Sequence, residues 1–335
     1  MVGMRDVAKK AGVSLSTVSL VVNGNGYVSD DMRERVRKAM QALNYVPNEL
    51  ARNLYHDCTN LVGVIVPTIR HPFFATFTAH LQHALAAQGL RTMLCSTADE
   101  ADGEIQYVDM LRRHMMDGIV MCAHTSHPGD YWTSIHRPIV AFDRVLGDGI
   151  SSIGSDHEQG GRLIAQMLIR NGAKHVVMIG GPRDQFFDLA ARGEVEEGPF
   201  DLGKTTFPTV RYYLTLEQEL TSAGVKYEYV EAGEVAGYHR AVSNALDKVT
   251  TDGVDAVVSS DIGASFCVRE ALGRGISIPD ELQIVAYDGT YLTDLAGMKL
   301  TAVAQDFSAI AQSAADHIVQ AIANEEVAAA NASHK

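Results

Sequence analysis

Cysteine is scarce in this chain and never paired. The four cysteines among 335 residues, Cys58, Cys95, Cys122 and Cys267, stand far apart, without the spacing of a disulfide framework or a zinc knuckle. Three of them lie in or beside apolar stretches, the pattern of reduced, buried thiols. Long apolar runs are missing too. None reaches the roughly 18 residues that a membrane span needs, and Met1-Val2-Gly3-Met4-Arg5-Asp6 has no secretion-signal core. The expected location is the cytoplasm, away from membranes. Nucleotide-binding loops are also lacking: Gly180-Gly181-Pro182 is too short a signal for a phosphate cradle. There is no nucleophile elbow, no spaced Ser/His/Asp set and no convincing metal set, which argues against an enzyme and against a cofactor. His124-Thr125-Ser126-His127 offers two histidines at loop spacing, a pair that reads as a surface loop or as cleft lining through His124 rather than as a metal site.

What is present is enough chain for about two domains. With 46% hydrophobic and 21% charged residues, the composition is that of an ordinary globular protein. A net charge of −13 argues against nucleic acid only until it is resolved along the chain. Residues 1–60 carry eight Lys/Arg against six Asp/Glu, and the remainder carries 20 against 35. A mildly basic head on an acidic body fits a small polyanion-binding module joined to a larger domain.

Within the head, Asp6-Val7-Ala8-Lys9-Lys10-Ala11 has helical spacing and stops at Gly12, a residue suited to the left-handed helix end. Ser14 offers an N-cap for a second helix, from Leu15 to about Val22, which Asn23-Gly24 ends. A third helix, about 31–43, places Met32, Val36, Met40 and Leu43 to cover the first two. Pattern alone fits a helix-turn-helix, whose second helix enters the major groove, or a generic three-helix bundle.

The residues themselves go further. Asp6-Val7-Ala8-Lys9-Lys10-Ala11-Gly12-Val13-Ser14-Leu15-Ser16-Thr17-Val18-Ser19, then Val21-Val22-Asn23, Leu43-Asn44-Tyr45-Val46-Pro47-Asn48 and Ala51-Arg52-Asn53-Leu54, closely resemble the lactose/galactose repressor (LacI/GalR) family. The resemblance implies a dimeric transcription factor, a homodimer on a pseudo-palindromic operator in double-stranded DNA. It divides the chain into a helix-turn-helix domain over 1–46, a hinge helix and linker over 47–60, and an effector-binding and dimerisation core over 61–335. Ser14, Thr17, Ser19, Asn23 and Tyr45 present short polar groups suited to phosphate oxygens. Leu15, Ser16 and Leu20 are the candidates for base contacts. Two leucines cannot exchange hydrogen bonds, so readout is expected to lean on thymine methyl groups. Gly3 replaces the family's usual hydroxyl residue but can still cap the first helix. Pro47-Asn48-Glu49-Leu50-Ala51-Arg52-Asn53-Leu54 resembles the hinge helix, too short to be stable alone. In it Asn48 and Arg52 are DNA-contact candidates, Ala51 permits close helix approach, and Leu54 is the minor-groove wedge.

From Leu61 onward apolar runs alternate with helical patterns, the mark of repeated βαβ units and a parallel sheet. Strands are expected over 61–67, 92–95, 118–122, 139–142, 176–179, 256–259 and 283–286, with helices over 75–87, 159–170, 264–272 and 309–322. This body resembles the family's periplasmic-binding-protein-like (type I) core, two α/β lobes closing on a small ligand, expected to be a carbohydrate. Lobe 1 is expected over about 61–160 and 292–320, and lobe 2 over about 161–291 and 321–335. Ligands of such sheets sit beyond the carboxyl ends of the strands.

The resemblance assigns effector contacts to Phe73, Phe74, Asp143, Arg144, Asp261, Asp288 and Gln305, with His124 as a further cleft candidate. Phe73 and Phe74 read equally as core, Asp143 as a turn cap and Asp261 as a helix cap. An effector-clamping arginine is expected after Gly181-Pro182; Arg192 and Arg211 both fit, and Arg211, which opens a helix, is favoured. Residues 192–204 read as an exposed loop. The chain after Glu326 reads as a frayed tail, with an edge strand missing from the C-terminal lobe, and no leucine heptad supports a tetramer. An α/β enzyme with an accessory DNA-binding head, or a ligand-binding protein without a regulatory role, fits the sequence less well.

Overall fold

The computed structural model describes residues 2–24, 26–47, 58–97, 103–123, 125, 127, 130–187, 205–233 and 237–333. The chain divides into two compact units, Met1–Thr59 and Asn60–Lys335.

In the first unit α1 (Met4–Ala11), α2 (Leu15–Asn23) and α3 (Asp30–Ala42) form a three-helix cluster. The Asp6 carboxylate accepts the Gly3 N–H at 2.9 Å, so a glycine N-cap suffices to start α1. Gly12, at φ 65°, ends that helix. Ser14 Oγ then accepts the Thr17 N–H at 3.0 Å and starts α2. Val7, Ala8, Ala11, Val18, Val36 and Ala39 form the core, with Met40 and Leu43 partly buried against it. Met32, expected in that core, is exposed instead. One turn further on, Val36 takes the inward position on α3. Arg35 closes the turn by donating from Nη2 to the carbonyls of Ala11 at 2.7 Å and Gly12 at 3.0 Å.

The second unit holds two sheets of five parallel strands. Lobe 1 has the order β2-β1-β3-β4-β5, with β1 Leu61–Val66, β2 Arg91–Ser96, β3 Gly118–Met121, β4 Ile139–Phe142 and β5 Ser151–Ile153. Its helices include α4 (Pro72–Ala87) and α5 (Gly103–Arg112). The chain crosses to lobe 2 through residues 154–156 and begins α6 (His157–Arg170). There β6 (His175–Gly180), α7 (Val210–Ser222), β7 (Lys226–Glu231), α8 (Tyr238–Thr251), β8 (Ala256–Ser260), α9 (Asp261–Arg274), β9 (Gln283–Asp288), α10 (Leu292–Leu295) and β10 (Thr301–Ala304) follow. The strand order is β10-β9-β8-β6-β7. A second crossing at 305–306 returns the chain to lobe 1 as α11 (Phe307–Ser333).

Strands β1 and β6 are central to their sheets and covered on both faces, so they read as unbroken apolar runs. Phe73, Phe77, Phe142, Phe307, Ile310 and Ile318 cement α4 and α11 onto lobe 1. Ile164, Leu168, Tyr212, Leu216 and Leu220 pack α6 against α7 in lobe 2.

Several expected boundaries need correction. Residues 157–160 belong to lobe 2, because α6 packs on α7. Residues 292–304 belong there too: β10 pairs with β9, with Thr301 beside Val285 and Ala304 beside Asp288. Residues 321–333 continue α11 along lobe 1, where Ile322 packs on the core and Arg137 holds Glu325 at 2.7 Å. The tail after Glu326, read as frayed, stays helical through Ser333. Its alanine-rich sequence has the highest helix propensity available. The edge of the lobe 2 sheet is filled by β10, a strand that the sequence reading passed over. Among the described residues no helix is long and apolar enough to cross a membrane.

Candidate functional site

A cavity of about 810 Å³ opens between the two lobes at the carboxyl ends of their strands. Lobe 1 contributes the loop after β1, with Thr68, Arg70 and His71, the first turn of α4, with Phe73 and Phe74, and the loop after β4, with Asp143. Lobe 2 contributes Thr209, Tyr212 and Tyr213 at the start of α7, Tyr238 on α8, Ser260 after β8, and Tyr287 and Asp288 at the end of β9. Gln305 reaches in from the second crossing.

The polar groups form two hydrogen-bonded chains. Asp143 Oδ1 lies 2.8 Å from His157 Nε2, and His157 Nδ1 lies 2.8 Å from the Tyr287 hydroxyl. Gln305 Nε2 donates to Asp288 Oδ1 at 3.0 Å, and Ser155 Oγ donates to Gln305 Oε1 at 2.6 Å. Burial, then the nearby Asp261 carboxylate, pushes the Asp288 carboxyl well above the usual range. Asp288 is thereby biased toward the neutral acid, able to donate to a ligand oxygen as well as accept. Burial pulls His71 down to about 4, so its imidazole faces the cleft uncharged. The aromatic groups cover both walls. Tyr212 stacks on Tyr287 with ring centroids 3.9 Å apart, and Phe73 lies 5.2 Å from Phe74 and 5.7 Å from Phe142.

The cleft thus brings together Phe73, Phe74, Asp143, Asp288 and Gln305 from the expected set. Phe73 serves both readings, lining the cavity while locked into the lobe 1 core. Three expected contacts face elsewhere. Arg144 is 1% exposed and does not line the cavity: Nη1 donates to the Ala123 carbonyl, Nη2 to the Thr125 carbonyl at 3.3 Å, and the guanidinium lies 4.2 Å over Phe207. Asp261 is 1% exposed and accepts the backbone N–H groups of Gly289, at 3.1 Å, and Thr290, capping the loop after β9. Arg211 lies on the α7 face turned toward α6, with Nη1 3.7 Å from Glu158; the same helix turns Tyr212 and Tyr213 into the cavity. His124, Arg192 and the whole segment 192–204, read above as an exposed loop, lie outside the described residues. His127 Nε2 lies 3.3 Å from Glu104 Oε1, and its ring stacks on Tyr131.

Sequence reasoning missed the tyrosines and His71. Tyr287 adjoins a nominated aspartate and His71 adjoins the nominated phenylalanines, so adjacency was the available signal. Tyr212 and Tyr213 had none, because α7 follows the long segment over 183–204.

On the first unit, Leu15 and Leu20 are 45% and 37% exposed, and Ser14 and Ser16 are exposed beside them. Thr17, Ser19, Asn23 and Tyr45 are half-buried, with Asn23 Nδ2 donating to Ser19 Oγ at 3.2 Å. Arg5, absent from the expected contacts, borders a shallow hollow with Leu15, Ser16 and Ser19. Asn48, Ala51, Arg52 and Leu54, and with them the expected hinge helix, lie outside the described residues.

Comparison with known proteins gives this pairing of units its meaning. Residues 3–48 match the family described as "Bacterial regulatory proteins, lacI family". Residues 59–194 match "Periplasmic binding proteins and sugar binding domain of LacI family". The sucrose operon repressor of Streptococcus mutans is 32% identical over 96% of this chain and 93% of its own. The chain belongs to the lacI family of bacterial regulatory proteins.

A further match, "Periplasmic binding protein-like domain", covers residues 165–333. The ribose operon repressor of Halalkalibacterium halodurans is 31% identical over 91% of this chain and 86% of its own. Among solved structures, a lac repressor dimer bound to operator and the anti-inducer ONPF shares the fold, with a TM-score of 0.76 at 22% identity over 96% of this chain and 93% of that one. As a lacI-family member the protein is a DNA-binding transcriptional regulator rather than an enzyme.

Proposed function

We propose that the protein is a cytoplasmic, homodimeric repressor that binds a pseudo-palindromic operator and is controlled by a neutral mono- or disaccharide held in the cleft. The observation that carries this reading is the cleft lining: Asp143, Asp288 and Gln305 supply acceptors and donors for hydroxyls, while Phe74, Tyr212 and Tyr287 offer rings to the apolar faces of a sugar. Arg70 is the one Lys or Arg lining the cavity among the described residues. A single guanidinium, opposed by the Asp143 carboxylate, disfavours phosphorylated ligands. The relatives that repress sucrose and ribose operons support the same class.

Ser14, Leu15, Ser16, Thr17, Ser19, Leu20, Asn23 and Tyr45 are the proposed DNA contacts of the described head, and Asn48, Ala51, Arg52 and Leu54 those of the hinge. Effector binding favours one lobe arrangement and shifts operator affinity by the difference in its affinity for the two arrangements. The test is a thermal-shift screen of sucrose, ribose, cellobiose, their phosphates and nucleosides, followed by operator selection from random duplexes with and without the best ligand. A neutral sugar that raises the melting temperature with its concentration and changes salt-sensitive operator binding supports the reading. Stabilisation by sugar phosphates alone overturns the effector class.

A further inference from the structure

His157 is not part of the cavity wall, yet its ring joins two residues that are. It opens α6 in lobe 2, with its side chain 1% exposed. One nitrogen faces Asp143 of lobe 1 and the other faces Tyr287 of lobe 2, each at 2.8 Å. The backbone is shaped around both partners. A Cβ on Gly154 would lie 2.3 Å from Asp143 Oδ1, and one on Gly160 would lie 2.7 Å from the Tyr287 hydroxyl. Asp143 itself holds φ 47°, a left-handed conformation that costs energy for a side-chain-bearing residue. Space cleared at two points and a strained carboxylate loop all converge on one imidazole.

We propose that His157 is a positioning residue that ties the lobe 1 acid to the lobe 2 phenol and presents both to the effector as hydrogen-bond acceptors. The polarity follows from the partners. The Asp143 carboxylate can only accept, so Nε2 carries the proton and donates to it. Nδ1 of the neutral ring then accepts, and the Tyr287 hydroxyl donates to it. Tyr287 therefore spends its proton inward and offers its oxygen lone pairs to the cleft. Asp143 keeps Oδ2, which meets no hydrogen-bond donor among the described residues, for the same side. The ligand groups recognised here are hydroxyl donors. Because the Asp143–His157 bond spans the lobes, a ligand that grips Asp143 also loads Tyr287 in the opposite wall.

The tie rests on the reading that the cleft takes a hydroxylated effector, and two measurements separate the two ideas. Histidine-selective ¹⁵N NMR of the full chain needs no ligand. The His157 signals, assigned by their loss in His157→Gln, are expected in a single tautomer protonated at Nε2, and Tyr287→Phe is expected to keep that tautomer, which Asp143 holds, while shifting the Nδ1 signal as its hydrogen bond is lost. Averaged tautomers in the unaltered protein, or unchanged signals in Tyr287→Phe, overturn the tie.

Calorimetry with sucrose gives the second readout. His157→Gln places an amide nitrogen near the Nε2 position, keeps the Asp143 arm and is expected to bind within about threefold of the unaltered protein. His157→Leu keeps the bulk, loses both arms and is expected to bind at least about tenfold more weakly. Equal binding by His157→Leu overturns the tie, and if that variant does not fold, Tyr287→Phe decides through the NMR signature. Failure of the unaltered protein to bind sucrose counts against the sugar reading alone, since the tautomer measurement still decides the tie.

Discussion

Gly160 stands one turn beyond His157 in α6, at a point where any side chain would run into Tyr287. A Cβ there would lie 2.7 Å from the phenolic oxygen and 2.8 Å from the ring carbon Cε2. The helix gives up propensity at this position so that Tyr287, at the end of β9, can reach its first turn.

Gly160→Ala is therefore expected to destabilise the protein. Helix propensity alone would favour alanine by about 1 kcal/mol, while forced overpacking costs about 1–3 kcal/mol, and the clash involves a ring already stacked on Tyr212. Urea unfolding should show a lower midpoint. Tyr287→Phe in the same chain should recover only part of the loss, because the ring edge as well as the hydroxyl is in the way.

Asp288 sets a pH dependence of definite sign. Its folded pKa is raised, first by burial and then by Asp261. The proton-bound folded form is thus favoured, and the stability it contributes is complete below the unfolded carboxyl pKa of about 3.9 and is lost as pH rises through the folded value. Asp288→Asn keeps an oxygen to accept from Gln305 and removes that loss. Its melting temperature should exceed that of the unaltered protein at about pH 7, with the gap narrowing toward about pH 4. A gap that widens on acidification would show that an ionised Asp288 is the stabilising form.

Arg211 tests the corrected geometry. It is 39% exposed and pairs with Glu158 across 3.7 Å, an ion pair expected to contribute about 1 kcal/mol or less. Arg211→Ala should leave sucrose affinity within about twofold by calorimetry, since the side chain is turned away from the cavity. A loss of tenfold or more would place this arginine in the effector clamp after all.

Leu15 and Leu20 carry a prediction about operator sequence. Exposed leucines can touch thymine methyl groups but cannot bond guanine O6 or N7. Selection from random duplexes should enrich A·T pairs opposite both positions, and Leu20→Arg should move the preference at its position toward guanine. Strong guanine enrichment with the unaltered head would contradict this mode of reading.

The parts legible in the sequence were those where a single physical signal dominates. β1 announced itself as Leu61-Val62-Gly63-Val64-Ile65-Val66 because a central parallel strand is covered on both faces. The three head helices could be read from Gly12, Ser14 and the spacing of Val18 and Val36. β7 was hidden because Lys226-Tyr227-Glu228-Tyr229-Val230-Glu231 is a half-exposed edge strand that mixes charged and aromatic residues, with no apolar run to mark it. β10 was hidden because it is only four residues long.

At the cleft, Asp143, Asp288 and Gln305, to which the family resemblance pointed, line the cavity. Arg144 and Asp261 were misassigned because position in a loop does not say which way a side chain turns. A buried guanidinium over Phe207 and a carboxylate capping two backbone amides are decided by tertiary packing. His157 carried no signal, since its importance comes from Asp143 and Tyr287, which lie 14 and 130 residues away.

The two crossings between the lobes lie side by side, pinned by the Ser155–Gln305 bond of 2.6 Å. Two adjacent tethers would leave the lobes a single line about which to swing, like a door on paired hinges. Gln305 is at that line and also touches Asp288 in the wall. A shift of a few tenths of an ångström there would be multiplied along each lobe's length. Leverage of that kind would let an occupant the size of one sugar move the far ends of a molecule many times larger.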